Sequence, residues 1–356
     1  MIHRLASVVV AATLALTIPS TAAASTDGIL LLAHGGRAQW NDNVRALAAS
    51  IDREIPVEIA FGMATRAEIQ GAVDRLVARG VSRIVAVPLF ISSHSSVITS
   101  TEYLLGLRAD RPAALEHFAR MSHGHGGHGS RGDRGSGGGA HAAHGSARAG
   151  HGSGHGTNDD GGHAASRGAV DPDALRPVDS PVPIVMTGAL NDHPLVADIL
   201  ASRAASISTD PAREAVILVA HGPVSDEENA RWLADMKSLA DRIGAATPYA
   251  SIDYLTVRDD APKPVRDQAT AELRALVSKR TAEGRRVLIV PLLLTFGGIE
   301  QGIRERLSGL DYVMAGQGLL PDDRLREWVK QAYASRTPDP AAPSSTSSHG
   351  GHTGPH

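Results

Sequence analysis

A chain of 356 residues is too long for one small core and fits two ordinary domains. A formal net charge of −3 leaves no basic footprint for nucleic acid, and the lack of cysteine excludes disulfides, thiolate metal sites and cysteine-held iron–sulfur clusters. Hydrophobic residues make up 42% and aromatic ones only 3%, so the cores are aliphatic; histidine, with 17 residues, is the outlier, and any metal must be held through nitrogen and oxygen.

The chain opens on the short basic stretch Met1–Arg4, the apolar run Leu5–Ile18 and the small residues Ala22, Ala23 and Ala24. This order reads as a signal peptide, residues 1–24, cleaved after Ala24. It places the protein outside the cytoplasm, in a periplasmic or other extracytoplasmic space. No later stretch is apolar enough to span a membrane, so none is expected in the mature chain.

Next come strands and helices in alternation. Gly28-Ile-Leu-Leu-Leu-Ala-His-Gly35 is an apolar run ending in a histidine–glycine pair, as a buried parallel strand feeding a loop would be. Helical patterns follow over 40–53, 66–78 and 97–107, with the apolar strand 83–91 between the last two. After a long polar interval come the strand 182–188 and the helix 195–205. The series then repeats. Ala215-Val-Ile-Leu-Val-Ala-His-Gly222 matches the first strand, Arg286–Leu294 matches Arg83–Ile91, and Asp311–Gly316 matches Val182–Gly188. Helices are expected over 226–243, 264–279, 299–307 and 325–334. The fold class is therefore α/β, with two repeats that each form a four-stranded parallel sheet flanked by helices on both faces.

The repeat locates an insertion. Repeat one covers 25–118 plus 182–210, repeat two covers 211–336, and 119–181 has no counterpart. That segment carries His123, His125, His128, His141, His144, His151, His155 and His163 among Gly, Ser, Ala and Arg. It has too few apolar groups to offset ordering entropy, so disorder is expected, as for the histidine-containing tail 337–356. Imidazoles at short, irregular spacing suit a reservoir that captures several metal ions weakly.

In open parallel sheets ligands bind beyond the carboxyl ends of the strands. His34 and His221 stand at such ends, and His94 follows the strand 83–91 on the same edge as His34. Neutral imidazole suits cobalt, nickel, iron or zinc, and two such groups on one cleft make a metal site. The aligned position in repeat two is Gly297, with Glu300 nearby.

The set Ala33-His-Gly35, Val87-Pro-Leu-Phe-Ile-Ser-Ser-His94, Ala220-His-Gly222 and Pro291-Leu-Leu-Leu-Thr-Phe-Gly-Gly-Ile-Glu300, with Asn191-Asp-His-Pro194 ahead of a helix, resembles the CbiX-type sirohydrochlorin chelatases of the class II group. The resemblance runs over 27–118 and 182–335. It implies insertion of Co²⁺, or else Fe²⁺ or Ni²⁺, into sirohydrochlorin or a related tetrapyrrole, with the metal as substrate; some members also carry a cysteine-bound iron–sulfur cluster, which a chain without cysteine cannot hold. It implies active-site roles for His34 and His94. Beside it, His221 is expected as a further metal ligand and Glu300 as an aid to proton removal. Arg37, Arg66 and Arg258 follow strand ends and are expected to pair with the carboxylates of the macrocycle. The rival readings are a non-catalytic metal-binding or delivery protein and a tetrapyrrole carrier on the same scaffold.

Overall fold

The computed structural model describes residues 26–123 and 170–336. The expected signal peptide, the reservoir histidines from His125 to His163 and the tail lie outside the described residues.

Strand β1 (Asp27–Ala33) is buried along its whole length, as its unbroken aliphatic run requires. It pairs in parallel with β2 (Val57–Phe61) on one side and β3 (Arg83–Pro88) on the other, and β3 pairs with the short β4 (Ile184–Met186). Repeat two copies this order: β6 (Ser251–Thr256), β5 (Glu214–Ala220), β7 (Arg286–Leu292) and β8 (Val313–Met314). The helices are α1 (Ala38–Ile51), α2 (Arg66–Ala78), α3 (Ser96–Leu104), α4 (Ala114–His123), α5 (Pro194–Ala205), α6 (Asp226–Ala246), α7 (Lys263–Ala282), α8 (Ile299–Arg306) and α9 (Asp323–Ala334).

The two sheets share one core. Ile29, Leu31 and Ala33 of β1 and Val216, Leu218 and Ala220 of β5 face a common layer built from α1, α5, α6 and α9. The other face of the first sheet packs on α2, α3 and α4, and that of the second on α7 and α8. Pseudo-symmetry is clearest in the central helices. Trp40, Val44, Leu47, Ala48 and Ile51 of α1 recur with the same spacing as Trp232, Met236, Leu239, Ala240 and Ile243 of α6, and all ten are buried.

The expected bounds of the insertion need correction at both ends. Residues 119–123 are the last turns of α4, because Leu115, Phe118 and Ala119 make an apolar stripe that the outer core buries. Residues 170–181 are also built into the fold. A 3-10 turn at Pro172–Leu175 leads into a segment whose Asp179 amide donates to Gln70 Oε1 and whose Asp179 carbonyl accepts from Gln70 Nε2, both at 2.8 Å. Val178 donates to the Leu104 carbonyl at 2.7 Å. Polar composition hid these anchors, since they are made by backbone groups.

One buried carboxylate ties the two repeats where they join. Glu214 opens β5 with 1% of its surface exposed. Burial raises its pKa, but hydrogen bonds from the Ser208 hydroxyl, the Thr209 amide and the Arg286 guanidinium outweigh that and hold it at about 2, against 4.5 ordinarily. The folded-state value lies below the unfolded one. Its contribution is therefore full above about pH 4.5 and is lost as pH falls towards 2, and it is on the order of 3 kcal/mol at neutral pH. Glu214→Gln is expected to lower stability by about that order at pH 7 and by much less near pH 3. Urea unfolding at the two pH values checks it; an equal loss at both would assign the effect to packing.

Candidate metal and macrocycle site

Where β1 ends, Gly35 adopts φ 82°, a conformation that favours glycine, and turns the chain so that His34 leaves the sheet into solvent. His34 Nδ1 lies 2.6 Å from the Gly35 carbonyl oxygen. A carbonyl can only accept, so Nδ1 carries the hydrogen and the Nε2 lone pair points outward as ligand or base. The second repeat reproduces the device, with His221 Nδ1 2.8 Å from the Gly222 carbonyl and Gly222 at φ 77°.

His94 stands on the loop after β3, and that loop is pinned from three directions. Ser92 Oγ, buried, accepts from the His94 amide at 3.1 Å. Asn191, in the left-handed region at φ 45°, accepts from the Ser93 amide through Oδ1 at 2.7 Å and donates to Ser93 Oγ through Nδ2 at 3.0 Å. Trp232 of α6, from the other repeat, donates from its indole nitrogen to the His94 carbonyl at 2.8 Å. Both polar main-chain groups of His94 are thus engaged while its half-buried imidazole is left for other work.

β1 and β3 are adjacent parallel strands in register from Asp27↔Arg83 to Leu32↔Pro88, so the loops carrying His34 and His94 emerge at one sheet edge. Among the described residues no three His, Asp or Glu side chains converge as a metal cage. The described residues therefore supply few donors at any one place. A metal held this way keeps open positions for water or incoming nitrogens.

Residues 28–104, the span that contains both histidines, match the CbiX family model. Over that span the chain is similar to the CbiX family. No curated protein matches the chain by sequence. Among solved structures, SirB from Bacillus subtilis with Fe³⁺ superposes with a TM-score of 0.50 at 14% identity, covering 87% of this chain and 95% of that one. At that identity the likeness shows the two-repeat fold. A CbiX described as the terminal enzyme of siroheme biosynthesis in denitrifying bacteria reaches a TM-score of 0.45 at 13% identity, over 87% of this chain and 99% of that one. DR2241 from Deinococcus radiodurans, described as a multi-domain protein with structural similarity to chelatases, reaches 0.47 at 15% identity, over 89% and 56%.

Several residues expected at the site have other employment. Glu300 Oε2 accepts from the amides of Gly297 and Gly298 at 3.0 and 2.9 Å. Burial raises its pKa, but these amide bonds prevail and hold the carboxyl below its ordinary value. A carboxylate so stabilised caps α8 and is a poor proton acceptor. Arg66 is nearly buried and gives its guanidinium to Asp173, Asp179 and the carbonyls of Arg176 and Pro177, fastening the far edge of the insertion. Arg258, at φ 54°, is spent on the Pro223 and Val224 carbonyls and on Asp226. Of the three arginines expected to meet the macrocycle, only Arg37 is exposed and makes no ion pair with the described residues.

The seam between the repeats supplies what the sequence did not reveal. Asp235 of α6 lies 3.5 Å from Ser92 Oγ. Burial raises its pKa, the His94 charge opposes that, and the neighbouring Asp192 reinforces it. At the corresponding contact between the repeats, Asn43 of α1 donates to Thr295 Oγ1 at 2.9 Å. Asp235, rather than Glu300, is thus the carboxylate brought against the His94 loop, and it comes from a helix 141 positions further along the chain. The signal lies in the α1/α6 alignment, which pairs Asn43 with Asp235 and Trp40 with Trp232.

Trp232→Phe keeps the ring and removes the bond to His94. Co²⁺ affinity at the first-repeat site is expected to fall by roughly fivefold, the worth of one hydrogen bond, with little change in melting temperature. Titration with residue-resolved detection at His94 checks this, and unchanged affinity would show that Trp232 only packs.

Proposed function

We propose that this protein is an exported chelatase that inserts a divalent first-row metal, Co²⁺ foremost and Fe²⁺ or Ni²⁺ as alternatives, into sirohydrochlorin or a related polycarboxylate tetrapyrrole. The observation that carries the reading is the pair His34 and His94 on the loops of adjacent strands β1 and β3, within the CbiX-family span, with the His34 Nε2 left free by the Gly35 carbonyl.

Insertion needs a metal that is held and partly stripped of water, a macrocycle presented to it, and acceptors for two pyrrole protons. Two imidazoles meet the first need without holding the metal too tightly to release it. Pyrrole nitrogens then replace the remaining waters. An imidazole freed as the metal moves into the ring becomes a base in place beside the departing proton. Arg37 is the cation positioned to meet a ring carboxylate at the β1 edge. His123 and the histidines of the interval 124–169 serve as a reservoir, and the leader 1–24 directs export to the periplasm or its equivalent. That export also suits the rival reading of a metal-delivery protein, which binds metal without turnover.

An anaerobic assay separates the two. Apo-sirohydrochlorin and Co²⁺ are followed by absorbance with wild type, His34→Ala and His94→Ala. Insertion above the spontaneous rate is expected, falling by roughly 10²-fold or more in each variant. Stoichiometric Co²⁺ uptake without insertion would replace the chelatase with the delivery protein. Deleting 124–169, which leaves α4 and the anchored segment 170–181 intact, is expected to lower the number of metals bound per chain while turnover at saturating Co²⁺ persists. Unchanged stoichiometry by equilibrium dialysis would remove the reservoir.

A further inference from the structure

Helix α6 grips the His94 loop through both main-chain groups of His94. Trp232 donates to the carbonyl directly, at 2.8 Å. The amide is reached one turn further along the helix, through a hydroxyl. Ser92 Oγ accepts from the His94 amide at 3.1 Å, and its single hydrogen is donated to Asp235 Oδ2, 3.5 Å away. Ser92 is 2% exposed, so the orientation of that hydroxyl is set inside the protein.

The other repeat supplies an internal comparison. Thr295 follows Pro291 in β7 as Ser92 follows Pro88 in β3, and the helix residue that meets it is Asn43, placed after Trp40 as Asp235 is placed after Trp232. The same contact is thus made twice, once by a neutral amide and once by a carboxylate. The amide serves the loop that has Gly297 at the aligned position, and the carboxylate serves the loop that carries His94. A hydrogen bond with a hydroxyl needs no charge, and a half-buried carboxylate is the costlier way to make one. Among the described residues Asp235 has no ion-pair partner. Burial raises its pKa and Asp192 adds to the rise, while the charge of His94 opposes it. The histidine and the carboxylate therefore lie in each other's field.

We propose that Asp235 is a positioning residue whose negative charge, set behind the His94 loop by the other repeat, holds a divalent metal at the first-repeat edge. It acts through space and through Ser92, without coordinating the ion. The site is thereby tightened with no added ligand to displace when the metal moves into the ring. This role rests on the reading that His34 and His94 receive the metal.

Asp235→Asn and Asp235→Glu separate charge from contact. The amide can still meet Ser92, as Asn43 meets Thr295, and the glutamate keeps the charge. Co²⁺ is titrated into the full chain, carbethoxylation of each histidine is read by mass spectrometry, and melting temperature is measured without metal. Co²⁺ is expected to protect His34 and His94 in the wild type. Asp235→Asn is expected to need roughly tenfold more Co²⁺ for half-protection of His94, with no loss of melting temperature, and Asp235→Glu to stay within about twofold of wild type. Wild-type affinity in Asp235→Asn would overturn the role, and equal weakening in both variants would overturn it by assigning the loss to packing. A wild type in which Co²⁺ leaves His94 unprotected would overturn the first-repeat reading and this role together, so the wild-type curve tells the two failures apart.

Discussion

Each sheet is buried on both faces, and neither repeat can cover its inner face alone. A fully parallel sheet of this kind must be closed by helices on both sides. Here the inner cover is shared, because α5 packs against α6 and α9, and α1 packs against α9, between the two sheets. Sharing the layer forces the first helix of each repeat against the strand-end loops of the other. That contact sets the site: Trp232 reaches the His94 carbonyl and Asp235 approaches Ser92, while Asn43 reaches Thr295. The second repeat thus acts on the first-repeat histidine through the core rather than through the solvent.

The consequence for chemistry is a division of labour between polar groups. Nearly every charged or amide group near the strand ends is already satisfied inside the fold, including Glu300 on α8, Arg66 on the insertion edge, Arg258 on its own loop and Asn191 on Ser93. Buried polar groups must be paired in this way or they cost stability. What remains free at the end of β1, among the described residues, is the outward nitrogen of His34. Rigid loops with few free donors suit a task in which a metal must be held in place and then surrendered, since pre-organisation lowers the cost of binding without adding ligands that would retain the ion.

The periodicities that are set by burial were legible in the sequence. The aliphatic runs ending in His34 and His221 became β1 and β5, and α2, α5 and α9 begin within two residues of where their patterns place them. α3 stops at Leu104 rather than 107, because Gly106 at φ 72° ends the helix. Partners far apart in sequence were not legible. Arg66 looked like a rim cation because nothing local marks Asp173 and Asp179 as its counter-ions across 107 and 113 positions. Glu300 looked like a base because its position is right and only the geometry of Gly297 and Gly298 shows the cap. Asp235 was invisible for the same reason, since it is delivered by the helix exchange.

The two repeats also differ for a reason that packing supplies. At Gly297, the counterpart of His94, an added Cβ would stand 3.1 Å from Trp40 Cδ1, tighter than an unstrained contact. Trp40 also presses on Gly36, where an added Cβ would lie 3.0 Å from its Cγ. Its counterpart Trp232 instead donates to the backbone of the loop it covers, and there a histidine side chain is accommodated. One tryptophan therefore holds a histidine in place and the other occupies the space where a second one would begin. With no imidazole at 297, the second repeat instead sets Asp260 Oδ2, from the loop after β6, 3.4 Å from His221 Nε2.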